Sequence, residues 1–139
     1  MSEIFETSFL GSMALRNRTV RSATWEGLAD KDGFVRPELV EMMTELARNS
    51  VGLIIPGYLY VARDGRGLPW QTGVWDDAHV EGLSRIAEAI HQEGGMAAAQ
   101  IAHAGGRTRS EHIEGQIPMA PSAVEGDRKS TRLNSSHRL

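Results

Sequence analysis

The sequence predicts an α/β protein built on a parallel sheet. Short apolar runs alternate with longer stretches of helical period, in the order strand, helix, strand, helix, strand. The runs at 51–55 and 96–99 are bounded by glycine or proline and show no in–out alternation, so they call for cover on both faces. Polar side chains begin where the last run stops, at Gln100 and His103, the end of a parallel strand at which such proteins place ligand chemistry.

The elements follow in order. Residues 1–16 scatter Ile4, Phe5, Phe9, Leu10, Met13 and Leu15 among polar residues and read as a hairpin or extended cover turning near Gly11-Ser12. Residues 18–22 are the first strand, rich in β-branched side chains. A loop with the turn signal Lys31-Asp32-Gly33 leads to Pro37, a residue favoured at the first position of a helix. Glu38 and Glu41 suit the positive end of that helix, Leu39, Met42, Met43 and Leu46 share one face, and Arg48-Asn49 ends it. The second strand, 51–55, stops at Pro56-Gly57 because proline lacks the donor that a central strand needs. Residues 58–76 read as a long loop with Trp70 and Trp75. Asp76 or Asp77 caps a second helix with the stripe Val80, Leu83, Ala87 and Ile90, closed by Gly94-Gly95 ahead of the third strand. Residues 107–127 read as irregular.

Composition narrows the function classes. The chain of 139 residues is long enough for one core, with 40% hydrophobic and 24% charged residues. It has no cysteine, which excludes a disulfide framework, a thiol nucleophile and thiolate metal sites within it. No apolar run approaches a membrane span and the N-terminus lacks a secretory pattern, so a cytoplasmic protein without a membrane partner is expected. Four of the 15 basic residues fall in residues 128–139, which contain no acid, leaving 11 basic against 18 acidic residues elsewhere. A body so acidic does not invite nucleic acid, which needs clustered cations.

Parallel strands point their C-terminal ends to one side. Three clusters therefore meet on one rim: Ser22, Ala23, Thr24 and Trp25; then Gly57 and Tyr58 after Pro56; then Gln100 with His103. If the sheet closes into a barrel, that rim is the active face. No nucleophile–base pair, P-loop or dinucleotide fingerprint is present. The rim offers backbone groups beside small residues, aromatic surface, and a carboxamide with both donors and acceptors. Such a set matches a flat ring whose edge also presents both, with Ala23 and Gly57 admitting the ring and Trp25 and Tyr58 packing beside it. Plain core packing is the other reading of the two aromatics. His103 reads as a hydrogen-bonded structural imidazole, His91 as a residue on a solvated helix face, and the remaining histidines lack metal-ligand spacing.

The segments Asn17-Arg-Thr-Val-Arg-Ser22-Ala-Thr-Trp-Glu-Gly27, Val51-Gly-Leu-Ile-Ile55, Gly73-Val-Trp-Asp-Asp77-Ala-His-Val-Glu-Gly-Leu83, Gln100-Ile-Ala-His-Ala-Gly105 and Ala120-Pro-Ser-Ala-Val124 resemble, in order, the N-terminal part of the Old Yellow Enzyme family. These are FMN-dependent NAD(P)H:flavin oxidoreductases, or ene-reductases. The resemblance runs from about residue 3 to about residue 126. It implies a partial TIM (β/α)8 barrel: the first three strands, two helices and the N-terminal hairpin or cover. It implies FMN at the rim, with NAD(P)H as co-substrate and an activated alkene or similar small molecule as acceptor. It places Ser22, Ala23, Thr24 and Trp25 along the flavin ring through backbone groups, the Tyr58 amide beside Gly57 at the carbonyl edge, and Gln100 on the pyrimidine. Ala23-Thr24 stands where many relatives have Pro-Met. The family's substrate-anchoring, proton-donating and phosphate-binding residues come later than residue 127, so the catalytic residues are not assigned here. A homo-oligomer of the full-length parent fits the family.

Two domain assignments follow: residues 1–127 as the barrel segment, and residues 128–139 as a basic tail outside the family pattern, either disordered or artefactual, since it is similar to translated adapter or vector sequence. A truncated, non-catalytic segment without cofactor is the main alternative function. A β/α-barrel enzyme for sugar phosphates or amides is a third, disfavoured because the rim offers no acid–base carboxylate pair.

Overall fold

The structure, a computed structural model, describes residues 3–121 and 132–133. The chain opens with a short 3-10 turn (Glu3–Phe5) and an antiparallel hairpin of β1 (Ser8–Leu10) and β2 (Met13–Leu15). Gly11 turns it with a φ of 59°, a left-handed conformation that glycine adopts without steric cost. The hairpin therefore takes the form expected from its sequence.

Behind it lies the parallel sheet: β3 (Val20–Arg21), β4 (Leu53–Ile54) and β6 (Met96–Ala97), in that spatial order. Val20 pairs with Leu53 and Met96, and Arg21 with Ile54 and Ala97. Two helices connect them, α1 (Pro37–Arg48) and α2 (Val80–Gln92). The core between helices and sheet consists of Val35, Leu39, Met43, Ala47, Ile54, Ile86 and Ile90. Two stripe positions differ from the periodicity. Met42 is exposed and Ala47 buried, while Val80 is exposed and Ile86 buried. In α1 the small Ala47 lies where the helix meets Gly95 at closest approach, and the bulkier Met42 turns outward. In α2 the Asp76 side chain accepts from the Ala78 amide and starts a 3-10 turn (Asp77–His79), which leaves Val80 at the outer edge of the first α-helical turn. Gly94, at φ 74°, closes α2.

The stretch 58–76 is not structureless. β5 (Leu59–Tyr60) runs parallel to β7 (Ile101–Ala102), through Leu59 N–H to the Gln100 carbonyl at 2.8 Å and Val61 N–H to the Ala102 carbonyl at 3.2 Å. Pairing thus resumes beyond Pro56 and raises the barrel wall on the C-terminal side of the sheet. The following loop bears a 3-10 turn (Arg63–Gly65) and interlocks with 3-10 turns at Gly105–Arg107 and Ser110–His112. Arg66 Nε donates to the His112 carbonyl at 2.5 Å, and the Thr108 hydroxyl donates to the Arg66 carbonyl. β8 (Met119–Ala120) pairs in parallel with β9 (Arg132–Leu133). Apart from that pair, the proposed boundary at 127, the motif residues 122–124 and the rest of the tail lie outside the described residues.

Candidate functional site

The register sets the site. Counting three residues past the paired row of Arg21, Ile54 and Ala97 reaches Thr24, Gly57 and Gln100. Their proximity is direct: a Cβ on Gly57 would lie 3.0 Å from the Thr24 carbonyl, and the Gln100 carbonyl holds the Leu59 amide. Ser22 to Trp25, Gly57, Tyr58 and Gln100 thus stand on one rim. The Gln100 side chain is exposed and makes no hydrogen bond among the described residues.

Side chains, rather than a continued ladder, hold this rim. The next ladder bond would join the Ala23 amide to the Ile55 carbonyl. Instead, Arg21 Nη1 takes that carbonyl at 2.7 Å and also donates to the Ser22 carbonyl at 3.3 Å, while Nη2 donates to the Thr24 carbonyl at 3.0 Å. The Thr24 amide folds back onto the Ser22 carbonyl at 2.8 Å, a sharp turn centred on Ala23. Glu26 completes the clamp. Its carboxylate meets Arg21 at 2.9 Å and accepts from the Gly57 amide at 2.7 Å, and both side chains are largely buried. A Cβ on Gly57 would run into that carboxylate, so glycine is required there by close packing. Burial of this pair is tolerable because every exposed-in-principle charge has a partner.

Tyr58 is fixed through Gln71, which is buried. Gln71 Nε2 donates to the Tyr58 carbonyl at 2.9 Å, and its Oε1 accepts from the amides of Gly67 (2.9 Å) and Leu68 (3.2 Å). The Trp25 indole N–H donates to the Pro69 carbonyl at 3.1 Å, and Gly27, at φ 70°, brings its backbone against the ring. Trp25 is therefore no core residue; it is exposed and ties the first rim cluster to the loop after β5. His103 accepts from the Gly105 amide at Nδ1 (3.0 Å), and its Nε2 lies 3.5 Å from Asp64. His103 is thus a hydrogen-bonded imidazole.

Reading the sequence alone missed Arg21, Glu26 and Gln71 as site residues. An arginine inside a buried strand was the available signal for the first two, since such a charge must find a partner nearby. His79 was also missed. It is buried, stacked on Phe34 (4.3 Å, 17°) and edge-on to Trp75 (5.0 Å, 71°), with neither ring nitrogen partnered among the described residues. Burial lowers its pKa, opposed by Asp76 and Asp30. Among the described residues no cluster suits a metal ion, and no helix is long and apolar enough to cross a membrane.

The sequence profile of the NADH:flavin oxidoreductase / NADH oxidase family matches residues 3–138. An NADPH dehydrogenase of Halalkalibacterium halodurans is 37% identical over 130 residues, covering 93% of this chain and 37% of the relative. Among solved structures, the old yellow enzyme homologue from Zymomonas mobilis superposes with a TM-score of 0.80 at 32% identity, over 88% of this chain and 34% of that one. Morphinone reductase in complex with tetrahydroNAD gives 0.78 at 30% identity, over 91% and 34%. The chain thus spans little more than a third of the length of these relatives.

Proposed function

The chain belongs to the NADH:flavin oxidoreductase / NADH oxidase family, and on that premise we propose that it forms the first three β/α units of an FMN-dependent TIM-barrel oxidoreductase. The complete enzyme passes reducing equivalents from NAD(P)H to an activated alkene or similar small acceptor. FMN, when bound, supplies the two-electron relay. This segment binds and orients it; catalytic acids and phosphate anchors belong to later parts of the barrel.

The observation that carries this reading is the chemistry of the rim. The amides of Ala23 and Tyr58 meet no acceptor among the described residues, and the Gln100 carboxamide is exposed beside them. Two backbone donors and a group with both donors and acceptors fit a flat ring with carbonyls along its edge. Ser22, Ala23, Thr24 and Trp25 would line one side of that ring, Gly57 and Tyr58 its carbonyl edge, and Gln100 its pyrimidine.

The test is FMN titration of the complete protein and two variants, followed by fluorescence quenching. Gln100→Ala removes direct hydrogen bonds of roughly 1–2 kcal/mol and should weaken FMN binding by about tenfold. His103→Ala removes a ring tied to its own loop and should weaken it less. Equal dissociation constants for the wild type and Gln100→Ala would refute the assignment.

A further inference from the structure

Resting on the FMN reading, we propose that Arg21 and Glu26 are positioning residues: by consuming selected backbone groups at the strand ends, the pair decides which rim groups remain for the flavin.

Parallel strands that simply end leave donors and acceptors in equal measure. Here the selection is one-sided. The Arg21 guanidinium caps three carbonyls, those of Ser22, Thr24 and Ile55. The capture of Ile55 strips the Ala23 amide of its ladder acceptor, so that donor is left over. Glu26 caps a single donor, the Gly57 amide. Its neighbour, the Tyr58 amide, stays free of any acceptor among the described residues. What is left includes the N–H donors of Ala23 and Tyr58, suited to the acceptors of a flavin edge, while the carbonyls of Ser22, Thr24 and Ile55 are occupied.

The pair also sets charge. Arg21 and Glu26 neutralise each other at 2.9 Å, with both side chains largely buried. Two-electron reduction adds negative charge to the pyrimidine side of a flavin. A balanced pair at this rim would leave the relative affinity for oxidised and reduced FMN near neutral, and an unbalanced Arg21 would favour the reduced form. Position and charge are separable because glutamine in place of Glu26 retains a carbonyl for the Gly57 amide but has no charge.

Three variants of the complete protein test this. Glu26→Gln should bind oxidised FMN within about threefold of the wild type, yet raise the ratio of affinities for reduced over oxidised FMN about tenfold, equivalent to about 30 mV for a two-electron couple. Glu26→Ala should weaken oxidised FMN about tenfold and speed amide exchange at Gly57. Arg21→Lys keeps the charge but cannot reach three carbonyls and a carboxylate together; it should weaken FMN without changing the ratio. A merely structural pair would lower stability and leave the ratio untouched. Wild-type FMN affinity in Glu26→Ala, or an unchanged ratio in Glu26→Gln, overturns the positioning role. A wild-type protein that binds no FMN refutes the functional reading itself, and Gly57 exchange that is slow in the wild type and in Glu26→Ala alike overturns the clamp without reference to any flavin.

Discussion

Expressed alone, this chain should not form a stable monomer and should hold no FMN. Phe5, Phe9, Leu10, Val20, Val80 and Ile101 are each more than half exposed. Full burial of one such side chain stabilises by about 1.5–3 kcal/mol, so six at these exposures leave roughly 6–11 kcal/mol unrealised. That matches the whole net stability of an ordinary domain, about 5–15 kcal/mol. Two of the six, Val80 and Ile101, share one feature. An open apolar groove of about 390 Å³ runs between α2 and the third strand, lined by Pro56, Leu59, Val74, Val80, Leu83 and Ile101 among others. β3 and β6 are the outer strands of the three-stranded sheet, so each leaves a row of backbone groups without a strand partner in that sheet. Sedimentation velocity should show association, near-ultraviolet circular dichroism should show no cooperative melt, and the preparation should be colourless. NAD(P)H oxidation should not exceed that of free FMN. A soluble yellow monomer with a single cooperative transition would refute this reasoning and would make the three units a self-sufficient flavin-binding body.

Two further outcomes are expected in the complete protein. Gln71→Ala strands the Tyr58 carbonyl and the Gly67 and Leu68 amides, costing about 3 kcal/mol at roughly 1 kcal/mol per bond, and Gln71→Glu should spare the two amides but repel the Tyr58 carbonyl, weakening FMN more than stability; urea unfolding and FMN titration separate the two. His79, whose pKa burial holds below its ordinary value of 6.5, should make the fold acid-sensitive: below that value the unfolded chain takes a proton that the folded one refuses, so stability present above it falls on acidification by up to about 1.4 kcal/mol per pH unit. His79→Phe should flatten the melting temperature between pH 7 and pH 5, and an unchanged slope would count against the assignment.

The alternation of strands and helices was legible because each element carries its own period and its own punctuation. Pro37 starts α1 and Gly94 closes α2, as local chemistry requires. One member of each stripe was misread where tertiary contact overrode the period, Met42 in place of Ala47 and Val80 in place of Ile86. The β5–β7 pair was invisible because Pro56 reads as the end of a strand, whereas pairing resumes three residues later between segments about 40 residues apart. The rim positions of Ser22 to Trp25, Gly57, Tyr58 and Gln100 followed from one topological rule about parallel strands. The groups that shape the rim did not, since a hydrogen bond from the Gln71 carboxamide to the Tyr58 carbonyl, or from the Gly57 amide to the Glu26 carboxylate, has no signature in spacing.

This contrast points to a division between where the site is specified and where the fold is stabilised. The hydrogen bonds that shape the rim begin and end between Arg21 and Gln100: Arg21 on three carbonyls, Glu26 on Gly57, Trp25 on Pro69, Gln71 on Tyr58, and Leu59 on Gln100. Several large apolar side chains, by contrast, remain more than half exposed in this segment. Polar geometry is therefore local and burial is not. Directional bonds of about 1 kcal/mol each cannot make up a deficit of several kcal/mol in buried area, but they do choose among backbone arrangements once something else supplies that area. On the proposed reading, further barrel units would supply the missing core, while the donors that a flavin ring would meet are set within these strand ends.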